Sequence, residues 1–167
     1  VLFRSKGIPV GIGHDAAHLD SLLVDGAPSH AGLVVSTAVP QDNPEVVAAR
    51  RLGMPIFHRS EILAALMTGH RSVAVSGTHG KTTTTGMLGT MLVEAGADPT
   101  VLIGGDLPGI GGTSRTGQGP WLVAEADESD KSMQRLTADW VIITNLEGDH
   151  LEHYKDLEDI LDTMATW

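Results

Sequence analysis

Hydrophobic positions in this chain fall in short β-branched runs separated by stretches with helical spacing. Residues 33–37, Leu-Val-Val-Ser-Thr, read as a buried strand. Asn43-Pro44-Glu45 then has the form of a helix start: Asn can cap with its side chain, Pro fits the first turn, and Glu sits near the positive end of the helix. That helix is predicted to reach Leu52, with Gly53 closing it. Pro55-Ile56-Phe57 reads as a short strand, and Ser60 can cap a second helix through Met67. Beyond it the pattern predicts a strand over 71–76, a helix over 82–95 closed by Gly96, and a strand over 100–103. The glycine-rich stretch 104–119 reads as loop. Residues 121–126 and 140–144 read as two more buried strands, and 157–167 as a helix. Alternating strands and helices predict an α/β fold with a mostly parallel sheet. A break near His70 divides the chain into two partial domains, 1–70 and 71–167.

Composition narrows the possible functions. A chain of 167 residues has room for one domain or two small ones, and 41% hydrophobic residues suffice for a core. The formal net charge of -10 argues against nucleic acid as a non-specific partner. It leaves room for a local phosphate site, because backbone N–H groups can bind an anion within an acidic protein. The chain has no cysteine, which excludes disulfides and thiolate metal sites and fits a cytoplasmic protein. No apolar run approaches a membrane span and no secretory signal is visible, so no membrane partner is expected. The chain begins at Val1 and closes on Trp167 with no cap after it; both ends read as truncations.

The chemistry concentrates in three segments. In Val73-Ala74-Val75-Ser76-Gly77-Thr78-His79-Gly80-Lys81-Thr82-Thr83 a hydrophobic strand runs into a loop with two glycines, and Lys-Thr-Thr opens a helix. Glycines let the backbone turn so that N–H groups point inward, and the helix N-terminus adds its positive end. Lys81 can reach the terminal phosphates of a nucleotide, and the Thr82 hydroxyl can ligate Mg²⁺. The general phosphate-loop pattern wants a glycine where Val75 stands, so this loop is a shorter form. The second segment, Glu125-Ala126-Asp127-Glu128-Ser129-Asp130, places four acids in six residues at a strand end. Such crowding fits Mg²⁺, a hard cation that takes carboxylate oxygens. A solvated acidic turn is the alternative for 127–130, and a weaker one for Glu125, which follows the apolar run Leu122-Val123-Ala124. In the third segment, Thr144-Asn145-Leu146-Glu147-Gly148-Asp149-His150, Asn145 can hydrogen-bond a substrate and His150 can hold a metal or phosphate.

Together these three segments resemble the Mur ligase family, whose central ATPase domain carries the short loop Gly-Thr-x-Gly-Lys-Thr found at 77–82. Their wording looks like the branch that joins L-alanine to UDP-N-acetylmuramate. A sister branch that recycles murein tripeptide usually has Tyr where Ser129 stands. Ser36-Thr37-Ala38-Val39 followed by Asn43-Pro44-Glu45 looks like the family's N-terminal domain. The resemblance implies a partial Rossmann-like UDP-substrate domain over 1–70, followed by a partial P-loop-type parallel-sheet ATPase domain over 71–167. A glycine-rich loop before Val1, the rest of the central domain and a C-terminal domain are then missing. It also implies a cytoplasmic, ATP-dependent, amide-bond-forming ligase of cell-wall synthesis that uses Mg²⁺. Gly77, Thr78, His79, Gly80, Lys81, Thr82 and Thr83 would hold ATP. Thr82 and Glu125 would place Mg²⁺, and His150 would belong to a second metal position. Lys81, Glu125 and His150 would form the catalytic set, with Ser36 and Asn145 as substrate contacts. The implied reaction converts a substrate carboxylate to an acyl phosphate, from which the amine of L-alanine displaces phosphate.

Two look-alikes point elsewhere. Gly11-Ile12-Gly13-His14-Asp15-Ala16 superficially matches a dinucleotide fingerprint, but the strand before it is barely three residues and Asp15 would sit beside the pyrophosphate. A helix over 15–23 is the better expectation. His14 with His18, and His150 with His153, raise a metallohydrolase as the rival enzyme class. Neither pair matches His-Glu-x-x-His, and that class leaves 77–83 unexplained. A nucleotide-binding module without catalysis is the third class.

Overall fold

A computed structural model of the chain describes residues 7–28, 32–148 and 153–167, and forms two compact units, Val1–Arg59 and Ser60–Trp167. In the first unit, Ala16–Leu22 is a 3₁₀ helix and not the α-helix expected over 15–23. Its start is tightened by i to i+3 geometry: the Asp15 carbonyl accepts the His18 N–H at 3.1 Å, and Asp15 Oδ1 accepts the Ala17 N–H at 2.9 Å. Strands β1 (Leu23–Val24) and β2 (Ala27–Pro28) form an antiparallel pair. Strand β3 (Leu33–Val35) pairs in parallel with β4 (Ile56–His58), and helix α1 (Pro44–Arg51) connects them in sequence. The Asn43 cap forms as expected, its Oδ1 accepting the Glu45 N–H at 2.9 Å. Strand β3 is shorter than predicted and not buried, with Val34 51% exposed. The cross-strand neighbour of Val34, Phe57, is exposed too. The core of this unit is Leu19, Ala48, Ala49 and Met54.

Helix α2 (Arg59–Met67) leads into the second unit. Its five strands run in the order β7-β6-β8-β5-β9. They are β5 (Arg71–Ser76), β6 (Thr100–Leu107), β7 (Gly112–Arg115), β8 (Trp121–Glu125) and β9 (Trp140–Ile143). All pair in parallel except β7, which returns antiparallel along β6. The central strands read as unbroken apolar runs because both faces are covered. On one face Val73, Val75 and Val123 meet Leu88 and Leu92 of α3 (Lys81–Glu94). On the other, Ala74, Leu122 and Ala124 meet Met67 of α2 and Met164 of α4 (Leu157–Thr166).

Two expectations for this unit are corrected. The stretch 104–119 is loop only in part: it continues β6 to Leu107, makes a 3₁₀ turn at Pro108–Ile110 and returns as β7 to Arg115, and 116–119 are loop as expected. Here the glycines serve close approach more than turning. A Cβ on Gly117 or Gly119 would lie 2.0 Å from Asp98 O or 1.9 Å from Ala97 O. The strand at 140–143 is not buried either: among the described residues β9 pairs only with β5, and Trp140, Val141 and Ile143 are 41–46% exposed.

Candidate functional site

Parallel pairing brings the C-terminal ends of β5, β8 and β9 to one edge of the sheet, where ligands bind in folds of this class. The 77–80 loop leaves β5 there. Gly77 has φ +124, and a Cβ at that position would lie 2.3 Å from Thr144 Oγ1 and 2.7 Å from Asn145 O. Gly80, in the left-handed region at φ 84, is the residue from which α3 starts.

The segment after β9 grips this loop. Asn145 O accepts the Thr78 N–H at 3.0 Å. The Asn145 side chain accepts the His79 N–H at 2.9 Å through Oδ1 and donates to His79 O at 2.9 Å through Nδ2. The Thr144 hydroxyl donates to His79 O at 2.6 Å, and Thr78 Oγ1 accepts the Glu147 N–H at 3.0 Å. The Asn145 amide, expected to contact substrate, is thus engaged by the loop. Two of the loop N–H groups expected to face a phosphate are engaged too. Among the anion-binding donors left are the Gly80 N–H and those of the first turn of α3, at Lys81, Thr82 and Thr83, which no helix can satisfy internally. Thr82 and Thr83 are exposed.

Lys81 does not extend into solvent. Its ammonium donates to Gly77 O at 2.7 Å, to Thr78 O at 3.4 Å and to Glu128 Oε1 at 3.0 Å, with Glu128 Oε2 at 2.9 Å. Glu128 is 3% exposed. The acidic segment therefore divides its labour. Asp127 Oδ1 accepts the Ser129 hydroxyl at 2.7 Å in a tight turn, and Asp130 Oδ1 caps the 3₁₀ helix Ser132–Arg135 through the Ser132 N–H at 2.9 Å. Glu128 pairs with Lys81, so at this residue the solvated-turn reading gives way to a buried ion pair. Sequence reasoning did not single Glu128 out. Its one signal was membership of a four-acid cluster at a strand end, and only the fold shows that it converges with Lys81.

Glu125 closes β8. Its Oε1 is buried and has no hydrogen-bond partner among the described residues, and the same holds for Ser76 Oγ at the end of β5. Adjacent glycines of β6 make room for the expected metal residues: a Cβ on Gly104 would lie 2.8 Å from Glu125 Oε2, and one on Gly105 would lie 2.9 Å from Thr82 Cγ2. A buried carboxylate oxygen lacking a partner among the described residues fits a hard divalent cation that draws its other ligands from phosphate and water, whereas the Thr82 atom facing Gly105 is its methyl group. Among the described residues no three His, Cys, Asp or Glu side chains gather into a metal-holding cluster. His150 lies outside the described residues, which also leaves the His150–His153 pair undescribed. Ser36 lies just past β3 in the first unit, its carbonyl accepting the Val39 N–H at 3.0 Å. His14 and His18 both approach Glu45, at 3.8 and 2.6 Å, so the first His pair leans on a carboxylate and does not open to a metal.

Fold and site define the second unit as a parallel α/β domain whose phosphate loop opens a helix beside an acidic strand end. The Mur ligase middle domain matches residues 75–166, and the Mur ligase family catalytic domain matches residues 3–71. The chain belongs to the Mur ligase family. It is 46% identical over 164 residues to the UDP-N-acetylmuramate–L-alanine ligase of Gloeobacter violaceus, covering 98% of this chain and 34% of that protein. Its fold is similar to the crystal structure of the UDP-N-acetylmuramate–alanine ligase of Thermotoga maritima, with TM-score 0.85, 34% identity, and coverage of 98% of this chain and 37% of the other. It is also similar to the UDP-N-acetylmuramate:L-alanyl-gamma-D-glutamyl-meso-diaminopimelate ligase of Neisseria meningitides, with TM-score 0.85, 30% identity, and coverage of 99% and 54%. The chain thus spans about a third of the length of the curated relative.

Proposed function

We propose that this chain is the phosphate-binding part of a cytoplasmic, ATP-dependent ligase that joins L-alanine to UDP-N-acetylmuramate in peptidoglycan synthesis. The observation that carries the reading is the loop at 77–82, tied to Asn145 and opening α3, beside a buried Glu125 oxygen with no partner. The names of the relatives and the 46% identity support the substrate pair. Ser129 favours this reaction over murein peptide recycling. Residues 1–70 are assigned to the UDP-substrate domain and 71–167 to the ATP-binding domain.

In the proposed reaction an oxygen of the substrate carboxylate attacks the γ-phosphorus of ATP and ADP departs, leaving an acyl phosphate. The amine of L-alanine then attacks the acyl carbon, the tetrahedral intermediate expels phosphate, and the amine proton is lost. Lys81 and the N–H groups opening α3 hold the phosphates and oppose the charge that builds up as two anions meet. Thr82 and Glu125 would hold Mg²⁺, which when bound screens the same charge. His150 takes the second metal position that the family resemblance implies.

Calorimetric titration with ATP and Mg²⁺ tests the phosphate site. Wild type is expected to bind and Lys81→Ala to bind at least tenfold more weakly, about the loss of one charge-assisted contact. Equal binding by the two would remove the assignment.

A further inference from the structure

We infer that Glu128 is the positioning residue for Lys81, holding the ammonium at the mouth of the phosphate loop and neutralising it until the nucleotide arrives. The inference rests on the nucleotide-binding reading above. An ammonium has three N–H donors. In Lys81 they meet Gly77 O, Thr78 O and Glu128 Oε1, so its long chain is held in one place. The turn that carries the carboxylate is itself fixed, and the side chain is buried. Glu128 is 3% exposed, and its main-chain oxygen accepts both the Tyr154 hydroxyl at 2.5 Å and the Lys131 N–H at 3.1 Å. Tyr154 is buried, and Lys131 reaches Asp159 at 3.0 Å, which joins this turn to α4. A buried carboxylate on a turn held this firmly, paired with a loop lysine, does two opposing things. It aligns the cation for phosphoryl transfer, and it places a negative charge beside the incoming phosphates.

The two effects separate in kinetics. In the full-length ligase that contains this chain, Glu128→Gln keeps the side-chain volume and the backbone bonds from Tyr154 and Lys131, and removes the charge. The KM for ATP is expected to stay level or fall, because a repulsive charge has gone. The kcat is expected to fall roughly 10–100-fold, the scale of a catalytic group displaced by about an ångström. Glu128→Asp, which keeps the charge on a shorter arm, should recover part of the kcat. Lys81→Ala combined with Glu128→Gln should turn over no more slowly than Lys81→Ala alone, because the carboxylate acts through the lysine. An unchanged kcat in Glu128→Gln, a raised KM with normal kcat, or losses that multiply in the double variant would each overturn the inference. So would loss of folding by both Glu128→Gln and Glu128→Asp, which would make the carboxylate structural. If Lys81→Ala binds Mg-ATP as well as wild type, the nucleotide reading itself fails. If it binds weakly while Glu128→Gln behaves as wild type, only the role of Glu128 fails.

Discussion

At the scale of single residues, the proposed site separates a buried strand-end carboxylate from acids that hold the backbone of the next turn. Glu125 sits at a strand end with one oxygen lacking a partner. Glu125→Gln keeps its shape, so the full-length ligase should melt near the wild-type temperature while turnover falls roughly 10²–10³-fold, the usual loss for one electrostatic stabiliser. Extra Mg²⁺ or Mn²⁺ should restore part of it. Thermal midpoint and turnover on one preparation decide the matter: early melting with near-normal turnover would make Glu125 a structural acid. Gly77 is a backbone requirement. Gly77→Ala would put a methyl group 2.3 Å from Thr144 Oγ1 at a φ that favours glycine. It should weaken Mg-ATP binding by pushing the 144–147 segment away from the loop, which calorimetry would read as a loss beside wild type.

At the scale of elements, close approach explains what periodicity alone could not. Helix α3 carries Gly86 and Gly89 in its interior, where glycine is normally unfavourable. A Cβ at these positions would lie 2.7 Å from Leu107 Cδ2 and 3.0 Å from Val101 Cγ1, so the glycines let α3 lie close against β6. In the first unit, Asn43→Ala removes the cap of α1 and should cost about 1 kcal/mol in chemical denaturation. The open end of the β6–β7 hairpin, opposite its turn, is held by Asp98, which accepts from Gln118 N at 2.8 Å and from Arg115 at 2.5 Å. The Gln118 N–H first, and then the Arg115 guanidinium, hold its carboxyl below the ordinary 3.8. A lowered folded value means that the stabilisation is complete above 3.8 and is lost as pH falls through the folded value. The stability gap between wild type and Asp98→Asn should therefore persist at neutral pH and close in acid below 3.8. A gap that widened on acidification would contradict the bond pattern.

At the scale of the whole molecule, the segment that leads into α4 joins the Glu128 turn through Tyr154. Burial foremost, then the carboxylate of Glu128, pushes its phenol up to about 12. A raised value stabilises the fold below the ordinary 10.0, and that contribution is lost as pH rises through about 12. Wild type should lose stability relative to Tyr154→Phe across this alkaline window, with no such divergence near neutrality. Parallel alkaline denaturation profiles for the two would show that the phenol is not held as described. Because the chain spans about a third of the curated relative, it is expected to bind Mg-ATP without ligase turnover. Phosphate release that required both UDP-N-acetylmuramate and L-alanine, from the pure chain, would contradict this. Among the described residues, no helix is long and apolar enough to cross a membrane.

Local chemistry by itself determined most of the elements and the phosphate loop. A strand that is buried on both faces, a glycine where the backbone must turn, and Lys-Thr at a helix start are each written within a few neighbouring residues. The Asn43 cap, α1, α3 and the runs at 71–76 and 121–125 were legible for that reason. Tertiary structure decided whatever depends on a partner far away in sequence. Glu128 and Lys81 are 47 residues apart, so no local pattern could show that one carboxylate in an acidic turn is buried against the loop. Asn145 and His79 are 66 apart, and an amide that looked ready for substrate turned out to tie down a loop. The glycines of 104–119 looked like flexible turns because glycine marks both a bend and a close approach. Only the packing of β6 against Glu125 and Thr82, and of 117–119 against 97–98, tells the two apart. Exposure of β9 was equally invisible, since an apolar strand reads the same whether one neighbour lies beside it or two.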